Sequence, residues 1–144
     1  MALPLELQTI HPDLHTRPFW DACRRRELRL QRCTGCGRFR HPPLPGCPYC
    51  ASTSVEWALL AGRGRVFSYT IVHHPAMPSL KDSVPYNVVV VELDGAPDAR
   101  LISNLVDVPP EELQVGMPVE LVWDEVAPDV VLPRFRRAAR GARA

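Results

Sequence analysis

The chain has almost no net charge: 17 basic and 16 acidic residues leave +1 over 144 positions. That balance speaks against a dedicated nucleic-acid binder, which needs a basic surplus to meet phosphate. Long hydrophobic runs are also missing, and no stretch approaches the roughly 18 apolar residues of a transmembrane helix. Residues 1–10 have no charged leader region and carry Glu6 and Gln8 among their apolar side chains, so no secretory signal is read there. There are no internal repeats and no low-complexity tract. A catalytic constellation is missing too. Ser68 lacks the context of a nucleophile elbow, and Cys23 has no neighbouring histidine. These absences predict a cytoplasmic protein that spans no membrane and performs no unassisted chemistry.

What is present begins with cysteine. Cys33-Thr34-Gly35-Cys36 and Cys47-Pro48-Tyr49-Cys50 form two Cys-x-x-Cys pairs with ten residues between them. Two residues between cysteines let a tight turn aim both sulfurs at one point, and Gly35, Gly37 and Pro48 supply turn-prone backbone. Two such turns make the four-thiolate shell of a structural zinc site, with no position left for a catalytic water. Four thiolates also suit iron, as in rubredoxin. Paired disulfides would require an oxidising compartment. His41 lies between the pairs, but four cysteines already complete a shell. Cys23, the fifth cysteine, is read as a buried thiol.

The pattern along the chain predicts a mainly β protein in four parts: residues 1–32 as an arm and helix, 33–61 as a rubredoxin-like zinc ribbon, 62–136 as a five-stranded OB-fold barrel, and 137–144 as a basic tail. Thr16 is placed to cap the helix, Pro18 suits its first turn, and Phe19, Trp20 and Cys23 share one side as far as Arg26. Alternation marks strands over residues 27–32 and 55–59. The prolines at 42, 43 and 45 forbid a helix between the knuckles and leave a stiff crossing. Beyond the break at Gly62-Arg63-Gly64, strands are expected at 66–72, 87–93, 100–105, 119–123 and 130–135, with one helical turn at 109–113. Phe67, Tyr69 and Ile71 alternate onto one face and read as barrel core, and 87–93 reads as a strand covered on both faces. Arginines crowd two regions: 24, 25, 26, 29, 32, 38 and 40, then 134, 136, 137, 140 and 143. Each reads equally as a solvated face or as a patch for phosphate or an acidic partner.

In order, the chain carries Phe19-Trp20, Leu30-Gln31-Arg32-Cys33-x-x-Cys36-Gly37, Cys47-Pro48-x-Cys50 and Gly62-x-Gly64-x-Val66-x-Ser68-Tyr69-Thr70. Then come Val91-Glu92-Leu93, Gly116-Met117-Pro118-Val119 and Leu132-Pro133-x-Phe135. Over residues 15–136 this order resembles a family of paired zinc-ribbon and OB-fold proteins, long called a domain of unknown function, that accompany thiolase-type enzymes. Ala51 stands where the second knuckle often carries glycine, so a stiffer turn is expected there. The resemblance implies a non-catalytic accessory subunit of a thiolase, an acyltransferase or a steroid side-chain-cleaving aldolase. In it the barrel holds or channels acyl-CoA, while the helix and ribbon dock on a thiolase-fold partner in a hetero-oligomer. The helix's candidate contact residues are Phe19, Trp20, Arg24 and Arg25, although adjacent aromatics on a short amphipathic helix also suit a core.

A CoA thioester needs a basic rim beside an apolar slot. Arg63 and Arg65 open the first barrel strand, and the proline-rich loop after it offers His73, His74, Met77 and, at its end, Tyr86. These are the candidate acyl-CoA residues. The competing class is a single-stranded nucleic-acid module, since ribbons and OB folds both bind strands through basic grooves and stacked aromatics.

Overall fold

The computed structural model describes residues 7–139. One helix, α1 (Arg17–Arg24), precedes two antiparallel sheets. Its start differs from expectation. Thr16 occupies the cap position, but its hydroxyl accepts from the Asp13 amide, while the Asp13 carboxylate accepts from the amides of His15 and Thr16. The turn is therefore tied off one step before the helix. The helix also ends at Arg24, not Arg26, because Arg26 takes φ +58 and the Glu27 amide closes back on the Ala22 carbonyl. Phe19, Ala22 and Cys23 are its buried face.

The first sheet holds β1 (Arg29–Cys33), β2 (Phe39–Arg40) and β3 (Val55–Leu59) in the order β2-β1-β3. The second holds β4 (Arg63–Val72), β5 (Tyr86–Leu93), β6 (Arg100–Ser103), β7 (Pro118–Ala127) and β8 (Val130–Arg137) in the order β6-β5-β4-β7-β8. This sheet curls until its ends meet. The Val106 amide bonds the Phe135 carbonyl at 2.8 Å and the Phe135 amide bonds the Asn104 carbonyl at 3.1 Å, in a parallel contact. A single 3-10 turn at Pro110–Glu112 lies before β7. The result is mainly β, with an N-terminal helix, a ribbon and a nearly closed five-stranded barrel. One apolar cluster joins them: Phe19, Cys23, Leu28, Leu30 and Phe39 pack into the same core as Val66, Val89, Val91, Leu101, Val119 and Phe135.

Two strand readings need correction. In β4, Val66 pairs with Val91 but Ser68 pairs with Val90, which leaves Phe67 as an extra, bulged residue. A bulge reverses strand parity. Phe67 turns outward, 45% exposed, and the Arg100 guanidinium lies 3.8 Å from its ring centre. Tyr69 returns to register opposite the buried Val89 yet stays partly exposed, so neither aromatic is a core residue. In β5, Val89, Val91 and Leu93 are buried while Glu92 is exposed. Val88 and Val90 on the outer side are half-buried, so the strand is fully buried on one side only.

The arginine patches are largely paired off. Arg24 meets Asp21, Arg29 meets Glu27 at 2.6 Å, Arg26 meets Glu125 at 3.0 Å and Arg32 meets Glu56 at 3.4 Å. In β8, Arg136 meets Glu120 at 2.8 Å and Arg137 meets Glu112 at 2.7 Å, and Arg137 is the last residue of the strand and not the start of a tail. Arg140 and Arg143 lie outside the described residues. Exposed pairs of this kind add little stability, but they remove free positive charge from the surface.

Candidate metal centre and the barrel seam

The two knuckles fold as short loops closed by backbone bonds. The Gly37 amide donates to the Cys33 carbonyl and the Ala51 amide to the Cys47 carbonyl, both at 2.9 Å. Gly37 takes φ +77 at the first turn. Ala51 takes φ +62 at the second, the left-handed region that glycine prefers. The four sulfurs lie within 4.8 Å of one another, with Cys33 and Cys50 3.5 Å apart and Cys36 and Cys47 3.6 Å apart. A tetrahedron built on metal–sulfur bonds of about 2.3 Å has edges of about 3.8 Å, so the donor set fits a metal.

Its electrostatics agree. The Cys36 amide does most to pull the Cys33 thiol down to about 6. The Ser52 amide likewise favours a Cys50 thiolate, yet crowding by Cys33, Cys47 and Cys36 together with burial holds that thiol up near 11. Four thiolates at this spacing need a cation to ionise together. Cys23 stands apart, fully buried on the inner face of α1, and desolvation raises its thiol to about 12. It is an unreactive core group.

The candidate acyl-CoA residues are not gathered into one cavity. Arg63 and Arg65 are exposed at the start of β4, and among the described residues neither guanidinium has a hydrogen-bond or ion-pair partner. His73, His74 and Met77 are exposed on the following loop. Tyr86 lines a hollow of about 240 Å³ with Asn87, Asn104, Asp124 and Arg134. Of the helix residues, Phe19 is 3% exposed and belongs to the core, Trp20 is half-buried against it, and Arg24 and Arg25 are exposed.

A second feature was not foreseen from sequence. Where the end of β6 meets β8, the Ser103 hydroxyl donating to the Pro133 carbonyl at 2.6 Å, α1 and the His41-Pro42-Pro43 segment lie over the seam and leave a cleft. The cleft measures about 270 Å³, and its walls include Phe19, Trp20, Leu101, Ile102, Leu132 and Pro133. Its one charged residue, Arg134, is neutralised by Asp124 at 2.6 Å and bonded to Asn104 at 2.5 Å. His41 sits at 4.9 Å from Phe19, ring to ring, with its Nδ1 buried and unpartnered. It is no part of the sulfur cluster. The stiff proline crossing was legible in the sequence; the cleft it roofs was not, because the other wall comes from residues some 60 and 90 positions later.

Burial lowers the His41 pKa to about 4, so folded His41 resists protonation that the unfolded chain accepts near 6.5. Stability from this group is complete above pH about 6.5 and is lost as pH falls toward 4, by up to about 3 kcal/mol. Urea midpoints at pH 7 and pH 5 should therefore fall further apart in the wild type than in His41→Phe. Equal shifts in both proteins would show that His41 is not the linked group.

Two family models match the chain. One, described as the rubredoxin-like zinc ribbon domain of ChsH2, covers residues 20–56. The other, described as the C-terminal OB-fold domain of ChsH2, covers residues 57–124. A DUF35 domain-containing scaffold protein from Methanocaldococcus jannaschii is 34% identical over 68% of this chain and 68% of its own length. This chain belongs to the DUF35 family. A probable enoyl-CoA hydratase alpha subunit from Thermomonospora curvata is 44% identical over 83% of the chain, but the match spans only 37% of that subunit. Among solved structures, a chain of an Ltp2-ChsH2(DUF35) aldolase superposes with a TM-score of 0.81 at 39% identity, covering 91% of this chain and all of that one. No helix among the described residues of this DUF35 chain is long and apolar enough to cross a membrane.

Proposed function

We propose that this chain is a non-catalytic, cytoplasmic accessory subunit of a thiolase-superfamily enzyme, binding or channelling acyl-CoA and scaffolding the complex. The match over the full length of the DUF35 chain in an aldolase assembly carries this reading. Cys33, Cys36, Cys47 and Cys50 hold one structural zinc, which fixes the ribbon. The outer side of α1, with the half-buried Trp20 and the exposed Arg24 and Arg25, faces the partner, and the partner supplies the nucleophile and acid–base groups. Arg63 and Arg65 form the phosphate rim. Their support is that they keep free guanidinium groups where most other arginines here are paired. Register places Arg65 beside Glu92 and Glu92 beside Arg100, so a third arginine joins the rim on the same outer face.

Calorimetry with CoA in the presence of the thiolase-fold partner tests the rim. Arg63→Ala with Arg65→Ala should weaken binding about tenfold and flatten its salt dependence. Unchanged affinity and salt dependence would move the rim to the partner. The chain alone should turn over no acyl-CoA, and activity should appear or rise when the partner is added. Robust turnover by the chain alone that disappears in His73→Ala or His74→Ala would overturn the accessory role.

A further inference from the structure

The seam cleft is built for an uncharged guest. Its walls are mainly aromatic and aliphatic, with Thr16, Ser103 and Asn104 as the uncharged polar members, and its only cation is already satisfied by Asp124 and Asn104. A phosphate or a free carboxylate finds no unmatched charge there. One buried polar atom of the lining has no partner: His41 Nδ1, which is closed to water until the ring turns. A neutral imidazole nitrogen either donates to a carbonyl oxygen or accepts from a hydroxyl, depending on its tautomer. The volume of about 270 Å³ suits a compact apolar group.

The cleft also has an approach. Ser68 pairs with Val90 and Val90 with Ile102, so these three form a row across β4, β5 and β6 on the outer face. Ile102 ends the row, is 69% exposed, and forms part of the cleft wall. The neighbouring row is Arg65, Glu92 and Arg100, with Phe67 beneath the Arg100 guanidinium. Strands about 4.8 Å apart put the two ends of each row about 10 Å from one another. A charged head on the arginine row and an apolar tail over Ile102 are thus within reach of one extended molecule.

We infer that the seam cleft receives the uncharged, apolar acyl end of the thioester, the His41 ring turning to bring Nδ1 onto a carbonyl or hydroxyl oxygen of that group. The inference rests on the acyl-CoA reading above, and adds to it a place for the acyl group remote from the loop of His73 and His74.

The test separates head from tail. Octan-2-one and octan-2-ol probe the cleft alone, CoA alone probes the rim, and octanoyl-CoA probes both, each titrated into the ¹⁵N-labelled full chain with the unlabelled thiolase-fold partner present. The ketone or the alcohol should shift the Trp20 indole and Ile102 amide resonances, and octanoate at pH 7 should not. Ile102→Trp fills the cleft mouth at an exposed position. It should weaken octanoyl-CoA about tenfold, the equivalent of two lost methylene burials, and leave CoA alone unchanged. His41→Phe keeps the ring and removes Nδ1, and should lose about fivefold for the ketone or the alcohol, a hydrogen bond's worth. Equal octanoyl-CoA binding by the wild type and Ile102→Trp, or ketone and alcohol shifts confined to other surfaces, overturns the cleft. Unchanged affinity of His41→Phe for both probes removes His41 from the site. If the ketone fills the cleft while CoA alone fails to bind, the rim reading fails and the cleft stands; if CoA binds and the octanoyl group adds nothing, the reverse holds.

Discussion

Cys47→Ser should release the metal and unfold the ribbon while the barrel keeps most of its protection. The ribbon has little core of its own. Its sheet has three strands, one of them only two residues long, and of the knuckle residues only Cys33 and Cys47 are buried. Folding there must be driven by the bound ion, and structural zinc supplies on the order of 10–16 kcal/mol at neutral pH. Cys47 is 4% exposed and its sulfur lies 3.6 Å from that of Cys36, so serine leaves a three-sulfur site with a neutral hydroxyl in the fourth corner. Metal content by elemental analysis should fall from one per chain to none after dialysis against EDTA. Hydrogen exchange should then quicken at Gln31, Arg32 and Arg40 and remain slow at Val89 and Val91. A variant that keeps stoichiometric metal and wild-type exchange would end the four-thiolate reading. Wild-type protein purified with neither zinc nor iron would end it sooner.

The parts of the molecule that repeat a local rule were legible in the sequence. Paired Cys-x-x-Cys turns aim sulfurs at a point whatever surrounds them, and the four sulfurs do converge. The strands, the 3-10 turn before β7 and the barrel class followed from alternation and turn residues in the same way. What escaped is what depends on a partner strand. One added residue at Phe67 reverses the parity of β4, and nothing in the run from Val66 to Val72 announces it, because every residue there suits either face. The arginines misled for the same reason. Several of their acids are remote in sequence, as with Arg26 and Glu125 or Arg137 and Glu112, so a patch in one dimension becomes a set of pairs in three. Arg63 and Arg65 stand out only once those pairs are removed.

In the barrel the largest loss is expected from Gly64→Ala. Gly64 lies in the central strand, opposite Leu93 on one side and Val119 on the other, so β4 is held from both edges. A methyl group placed there would stand 2.2 Å from the Glu92 carbonyl oxygen and 3.0 Å from Val91 Cγ1. The first contact is with backbone, and no side-chain rotation relieves it. Only separating β4 from β5 makes room, and that opens the ladder beside the buried Val66, Val89 and Val91. Overpacking of this sort costs about 3 kcal/mol or more, against a total stability of about 5–15 kcal/mol for an ordinary domain. The melting temperature should fall by about 10 °C. Gly46→Ala is the control, since nothing lies within 4 Å of its added carbon, and it should change stability by no more than about 0.5 kcal/mol. The two substitutions also separate the sheets. Gly64→Ala should keep one metal per chain, because the sulfurs sit on the β1–β3 ribbon, while exchange quickens at Val89 and Val91. A Gly64→Ala protein that melts within about 2 °C of the wild type, with those amides still protected, would mean that β4 and β5 do not approach as closely as this register requires.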